Sequence, residues 1–591
     1  MSIVVKTVRI AGFRGLENLE VELEPTTVLT GMNNTGKTSF LKALQIALGE
    51  RQFISQDDFF IKDNRCTEKI TIDVLIVPFD ADGKQPDDFS ENWEVLFTTE
   101  RIRIDRDRSK SFLPLRTTVT FDAIKNSYKV QQTILKEWTA FKVGDSDWFD
   151  ADKGNKTSFR FDELPFFYMD AQRDILEDTK LRSSYLGKML SKIDYSAADI
   201  KAIEQQIEAL NEKAVSSSDI LSTIKETLKG LDSALDNQSH GIEITPFTKK
   251  IRDFNKGLTI YYGDSQDSFS MEYHGMGTRS WSSLLTLKSF IHFPKNNAKE
   301  EEEEEEQQPV FFPILAIEEP EAHLHPNAQK QLYSQINSIS GQKIISTHSP
   351  YIAAVAELGQ IRNFYKDEEV RCGNIAIDAL DEKEQRKIKR QVINSRGEIF
   401  FSKLMVFCEG ETEEQALPIF AQHHFGQSAF EMGIDFVGVG GCNSYLPFLR
   451  FAESLNIPWL ILSDAEAKTV DSVKEQFNKC NSSRIETDAI VFLDDGNDFE
   501  QQLIADGFQD EIKKSIAVSD RYCSEQHRQN KESKIEQYSD ECLHKKMTEE
   551  KTQFAPVIAD QIVMSDKALP PKVLELFSKI SSTLNISEGL S

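Results

Sequence analysis

Paired cysteines are missing from this sequence. Its seven cysteines, Cys66, Cys372, Cys408, Cys442, Cys480, Cys523 and Cys542, are scattered, and no two form a C-x-x-C pair. That argues against a zinc site and a disulfide framework, and it suits a reduced cytoplasm. Long apolar runs are missing as well. None approaches the roughly 20 residues that span a bilayer, so no membrane partner is expected. The N-terminal MSIVVKTVRIAGF alternates as a strand does and lacks the apolar core of a signal peptide. Positive charge is in deficit: the net charge is −27, of which the seven glutamates Glu300 to Glu306 supply only part. Such a chain is not a general electrostatic binder of nucleic acid. Contact with DNA would need local basic patches, or cations that neutralise clustered carboxylates.

A chain of 591 residues exceeds one core, so two to four domains are expected, and 39% hydrophobic with 28% charged residues suits a globular protein. Residues 1–135 look mixed and strand-rich, with KITIDVLIV (69–77) and WEVLFTTERIRI (93–104) predicted as strands. Residues 175–236 carry apolar positions at helical spacing. They are too short for a long coiled-coil arm but long enough for a dimerising hairpin. The Glu-rich stretch 296–309 reads as a solvated spacer. Strand character returns in VFFPILAIEEPEAHLHP and in QKIISTHSP (342–350), and a charged connector follows at 381–393. Beyond it LMVFCEG, IDFVGVGG, PWLILSD and DAIVFLDD alternate with helical stretches, the pattern of an α/β domain with a mostly parallel sheet.

The stretch VLTGMNNTGKTSFLKAL fits G-x-x-x-x-G-K-[ST] between a strand and a helix. Gly31 and Gly36 let the backbone approach phosphate, and the loop amides point at it from a helix N-terminus. Lys37 would contact the β- and γ-phosphates of ATP and Thr38 would ligate Mg²⁺, with Asn33, Asn34, Thr35 and Ser39 completing the cradle. The apolar strand 314–317 delivers Glu318 and Glu319 to the same end of the sheet. Glu318 would hold the metal, and Glu319 would orient or deprotonate the attacking water.

A second acidic site lies far along the chain. Glu409 ends an apolar strand, Gly410 permits a turn, and Glu413 follows within one helical turn. Asp464 and Glu466 end a second strand at i, i+2 spacing, and Asp498 and Glu500 repeat that spacing after a third. Strand ends converge in a parallel sheet. Clustered carboxylates repel unless divalent cations join them, and oxygen ligands suit Mg²⁺ or Mn²⁺.

These motifs carry a resemblance. VRIAGFRGLENLEVEL, IEEPEAHLHP and ISTHSP resemble the start, the joined Walker B and D-loop, and the switch histidine of ABC-type ATPases of the recombination and chromosome-maintenance kind. HGMGTRSWSSLLTL stands where their signature motif does, without the literal L-S-G-G-Q. The resemblance implies that His348 senses γ-phosphate, that Gly275, Gly277 and Thr278 meet the γ-phosphate of the opposite subunit, and that Gln56 is a Q-loop residue. It also implies two ATP molecules between the heads of a homodimer. The acidic motifs resemble a Toprim domain, with D-x-E in place of D-x-D, and DFE at 498–500 resembles a further motif of the OLD family of nucleases, whose late lysine best matches Lys551, with Lys545 and Lys546 nearby.

An ABC-type head joined to a C-terminal Toprim domain is the OLD architecture, which includes Gabija-type and retron-associated anti-phage nucleases. The resemblance implies an α/β protein divided as head (1–174 and 241–380), helical dimerisation insert (175–240), connector (381–400) and Toprim nuclease domain (401–591). It implies an ATP-regulated, metal-dependent DNA endonuclease, a homodimer through heads and insert with a higher oligomer left open, and a defence partner that is protein or nucleic acid. The competing expectation is an ATP-switched DNA clamp or repair ATPase whose Toprim site is degenerate.

Overall fold

A computed structural model of the chain describes residues 2–48, 54–62, 65–80, 83–105, 109–141, 148, 154–180, 197–228, 260–262, 269–297, 310–395, 397–494, 496–519, 525–549 and 551–586. The glutamate run and parts of the helical insert lie outside them. The chain divides into two compact units, one of Met1–Tyr168, Ile314–Glu319 and Gln342–Ser591, the other of Met169–Pro313 and Pro320–Gly341.

The first unit holds three principal sheets. A seven-stranded antiparallel sheet is built around Ser2–Phe13, Lys69–Phe79 and Ser111–Asp122. A six-stranded sheet runs in the order Phe166–Met169, Ile314–Glu318, Gln342–Ser346, Thr26–Gly31, Ile361–Lys366 and Val370–Asn374. Ile314–Glu318, Gln342–Ser346, Thr26–Gly31 and Ile361–Lys366 run parallel to their neighbours. Their carboxyl ends therefore share one edge, where open α/β sheets bind ligands. The third sheet has four strands, all parallel, in the order Ile434–Gly438, Leu404–Cys408, Trp459–Ser463 and Ile490–Phe492. Leu404–Cys408 is buried along its whole length, as an apolar run covered on both faces must be.

One predicted strand is a helix. Residues 93–104 contain the end of a helix, Glu91–Phe97, followed only by the short strand Arg103–Ile104. Trp93 and Phe97 sit four residues apart, bury fully and stack at 5.2 Å. A short apolar run does not distinguish the two periods, and here ring packing at helical spacing decided it.

The charged connector is the helix Glu382–Asn394, capped by Asp381, whose carboxylate accepts from Glu384 N at 2.8 Å. It buries Ile388 and Val392. The six-stranded sheet and the four-stranded domain also touch directly. Asn363, 5% exposed, accepts from Thr30 Oγ1 at 3.0 Å and donates to Leu455 O at 2.8 Å. Gly373 lies so close to Ser454 that a Cβ there would stand 2.3 Å from its carbonyl oxygen.

In the second unit the helical insert contains Ile175–Lys180, Ala197–Ser216 and Asp219–Leu228. The helix Met276–Asn297 opens directly after Gly275. Its Arg279 pairs with Asp174, with Nε 2.9 Å from Oδ1, and Trp281 donates to Gln335 at 2.6 Å.

Asn363 bonds on both sides while buried, so Asn363→Ala should lower stability by about 2 kcal/mol, because two buried groups lose their partner. Urea unfolding of the variant checks this, and an unchanged midpoint would contradict it.

Candidate functional site

The phosphate loop is shaped by close contacts that only glycine allows. Gly31 ends its strand at φ +128, and a Cβ there would stand 2.1 Å from Phe364 O. Gly36 precedes the helix Lys37–Ala47 at φ +93. Asn34 takes the left-handed conformation at φ 62 and, like Asn33, is exposed. Thr35 is buried and donates to Met32 O at 2.8 Å, and Ser39 is half-buried in the first helical turn. Lys37 is 6% exposed, and its ammonium donates to Gly31 O at 2.8 Å and Met32 O at 2.9 Å. The loop thus holds its cation beside a helix N-terminus, the arrangement that favours a bound anion.

Glu318, 8% exposed, ends the adjoining strand. One carboxylate oxygen accepts from Thr38 Oγ1 and the other from the Tyr168 hydroxyl. Thr38 and Glu318, the two expected Mg²⁺ ligands, therefore meet directly, and the residue pair fits a hard cation. The hydroxyl of Tyr168 was not legible beforehand, since its strand carries no motif. Glu319 follows in the left-handed region at φ 41, with its N–H on Ser346 O at 2.9 Å. A non-glycine residue there is uncommon and clusters at functional sites. Its carboxylate lies 3.7 Å from His348 Nε2. Burial, and then the Lys37 charge, lower the His348 pKa from its ordinary 6.5.

The remaining expected nucleotide contacts are Gln56 and the stretch 275–278. Gln56 is exposed in the 3-10 turn Gln56–Asp58, its amide 4.0 Å from Cys66 Sγ. Gly275 is exposed before its helix, and Gly277 and Thr278 are half-buried in the first turn. A Cβ on Gly277 would stand 2.5 Å from His323 O. These three belong to the second unit and the phosphate loop to the first.

The acidic site forms at the carboxyl ends of the parallel four-stranded sheet. Glu409 follows the central strand, and its carbonyl accepts from Gly440 N at 3.2 Å and Gly441 N at 3.0 Å. Its carboxylate accepts from Cys442 N at 3.1 Å. Gly440 and Gly441 both take positive φ, which lets three successive amides face the glutamate. Glu413 is 4% exposed in the first turn of the helix Glu411–Phe425, its carboxylate folded back to 3.1 Å from where a Gly410 Cβ would be. Glu500 is 2% exposed and accepts from Thr412 Oγ1 at 2.7 Å. Asp498 caps the helix Phe499–Ala505 through Oδ1, and its Oδ2 lies 2.7 Å from His544 Nε2. Nothing in the sequence singled out His544, because only tertiary packing brings it there.

Asp464 is the centre of this group. Its pKa is pushed up to about 9, first by burial, then by the charges of Glu413, Glu409, Asp498 and Glu500. Its Oδ1 is buried and accepts no hydrogen bond among the described residues. Glu466, by contrast, is exposed at the start of the helix Ala467–Cys480. Asp464 and Glu466 therefore differ in burial: buried Ala465, whose N–H donates to Asn497 O at 2.9 Å, separates them. Lys551 begins the helix Lys551–Val563, and its side chain lies outside the described residues. Among the described residues no three His, Cys, Asp or Glu side chains stand close enough to cage a metal ion. The donor set is nonetheless all oxygen, with one orphaned buried carboxylate oxygen and mutual repulsion that a divalent cation would relieve. It fits Mg²⁺ or Mn²⁺.

His348 is expected to be neutral at pH 7. Its lowered pKa means that the folded state resists protonation, so its stabilising effect is present above pH 6.5 and erodes as pH falls below it. Lys37→Met removes the nearby cation while burial remains, so the His348 pKa should rise toward, yet stay below, 6.5. An NMR titration of the imidazole reads this directly; an unchanged or lower pKa in Lys37→Met would contradict it.

Two segments of the chain match known families. Residues 4–353 match the AAA ATPase domain family, and residues 400–465 match the TOPRIM domain of proteins like the overcoming lysogenization defect protein. The chain is 24% identical to an OLD nuclease of Thermus scotoductus, over 79% of this chain and 83% of that one. It is 21% identical to the uncharacterized protein YbjD of Escherichia coli, over 86% and 88%. It is 21% identical to the endonuclease GajA of Bacillus cereus, over 82% and 77%. With the phosphate loop and Walker B acids in the first matched segment and Glu409 and Asp464 in the second, the chain belongs to the AAA ATPase-domain family and carries a C-terminal OLD-like TOPRIM domain.

Proposed function

We propose that this protein is an ATP-regulated, divalent-metal-dependent DNA endonuclease. The observation that carries the reading is the carboxylate group around Asp464, gathered at the ends of a parallel sheet beside a turn of glycine amides. Similarity to proteins named nucleases supports it. Glu409, Asp464 and Glu466 would be the core cation ligands, and Glu413 and Asp498 would complete a second cation position, with Glu500 beside them. Bound there, the ions would supply an activated water and charge neutralisation at the leaving oxygen. The chain's own residues prepare the site. The Cys442 amide orients Glu409, burial keeps Asp464 from relaxing into solvent, and Lys551 would counter charge on the scissile phosphate. At the other site Lys37 would hold ATP, Thr38 and Glu318 its Mg²⁺, and Glu319 the attacking water, with His348 beside it.

Domain limits at 174, 240, 380 and 400 follow from this reading. So does a homodimer: Leu210, Ile220 and Ile224 of the insert helices are exposed apolar side chains that a second copy would cover. A cytoplasmic role in anti-phage defence, with a partner protein or nucleic acid as trigger, is the biological setting we infer from the resemblance. The exposed position of Glu466 favours one alternative, an ATP-switched clamp that binds DNA without cutting it.

Plasmid cleavage with Mg²⁺ or Mn²⁺ separates the two readings. Wild type should cut, and Glu409→Ala and Asp464→Ala should fall to background while ATP turnover is retained. No cutting by wild type with either metal would favour the clamp. Glu319→Gln should bind ATP yet hydrolyse it about 10² to 10⁴-fold more slowly, as loss of a general base does. Lys37→Ala should lose ATP binding or turnover.

A further inference from the structure

The turn that orients Glu409 does not stand alone. Cys442 gives its N–H to the Glu409 carboxylate, and Ser444 N closes the turn on Gly441 O at 3.0 Å. Gln476, buried on the helix Ala467–Cys480, holds both the turn and the start of the helix Tyr445–Ser454 that follows it. Its amide donates to Cys442 O at 2.6 Å and its oxygen accepts from Leu446 N at 3.0 Å. The third grip comes from outside the four-stranded domain. Lys387, half-buried on the connector helix, donates from Nζ to the buried Ser444 Oγ at 2.7 Å.

The connector is packed against both of its neighbours. Its Ile388 and Val392 are buried, and Arg450 of the nuclease domain donates to Ala379 O, just ahead of it, at 2.9 Å. At its far end Gly397 is pressed against the backbone that follows His348: a Cβ there would stand 2.0 Å from Pro350 O. A lysine on a fixed helix, bonded to a buried hydroxyl inside a six-residue turn, sets where that turn sits.

We propose that Lys387 is a positioning residue for the nuclease site, acting through Ser444 to keep the Cys442 amide on Glu409. Its ammonium donates to Ser444 Oγ, so it would act on the site through the turn. It limits the turn, the turn limits the Glu409 carboxylate, and a carboxylate held in place loses less freedom on taking a cation. The inference rests on reading the carboxylate group as a divalent-cation site.

The test is Mn²⁺ binding to the full-length protein without DNA, followed by calorimetry or electron paramagnetic resonance, with ATP turnover measured alongside. Lys387→Met keeps the aliphatic stem and removes the donor. It should weaken Mn²⁺ binding about 10-fold, the low end of what outer-shell changes cost, with ATP turnover unchanged. Ser444→Ala should have a similar effect, and the double variant should be no weaker than the weaker single, because both remove one interaction. Affinity of Lys387→Met within about twofold of wild type, additive losses in the double variant, or ATP turnover falling in parallel would overturn the proposal. Wild type that binds no Mn²⁺, or Glu409→Ala that binds it as tightly, would overturn the cation reading and this inference with it.

Discussion

Repulsion among carboxylates at the end of one small sheet is the constraint on which the rest depends. A parallel sheet directs all its strand ends to one edge, so the acids after Leu404–Cys408, Trp459–Ser463 and Ile490–Phe492 cannot avoid one another. Water would screen such charges, but Glu413 and Glu500 are almost fully buried, and Asp464 keeps a proton well above the usual carboxylate range. The arrangement is costly for the empty protein and sensible for one that binds cations. The glycine turn answers the same constraint, since the Cys442 amide donates to the Glu409 carboxylate and the Gly440 and Gly441 amides to its carbonyl.

The ATPase sheet meets that domain through polar contacts, not apolar ones alone. Asn363 joins the strand of the phosphate loop to the backbone of the TOPRIM domain, and Gly373 lets the two backbones come together. The connector adds a further route, because Gly397, past the end of its helix, packs on the backbone after His348, while Lys387 on the helix reaches the turn beside Glu409. Each of these contacts has a named partner, so the proposed influence of nucleotide on cleavage would have a physical path through which to act.

Much of this was legible in the sequence because the chemistry is local. The phosphate loop declared itself by spacing, and Glu409 by a glycine directly after an apolar strand. Parallel strands were legible as apolar runs bounded by turns. What escaped depended on packing between distant residues. Tyr168 reaches Glu318 from a strand with no motif, and His544 reaches Asp498 across 46 positions. The helix at Glu91–Phe97 was taken for a strand because two aromatic rings settled a run too short to show its period. The i, i+2 spacing of Asp464 and Glu466 was legible, but not that buried Ala465 would lie between them or that a helix would open at Glu466.

The central claim is that the carboxylates around Asp464 are a cation site. Crystals of the full-length protein grown with Mn²⁺ and measured at the manganese absorption edge would locate the ion without reference to activity. The account predicts an anomalous peak in contact with Asp464 and Glu409. Full Mn²⁺ exposure with no peak there, and the carboxylates still apart, would contradict it.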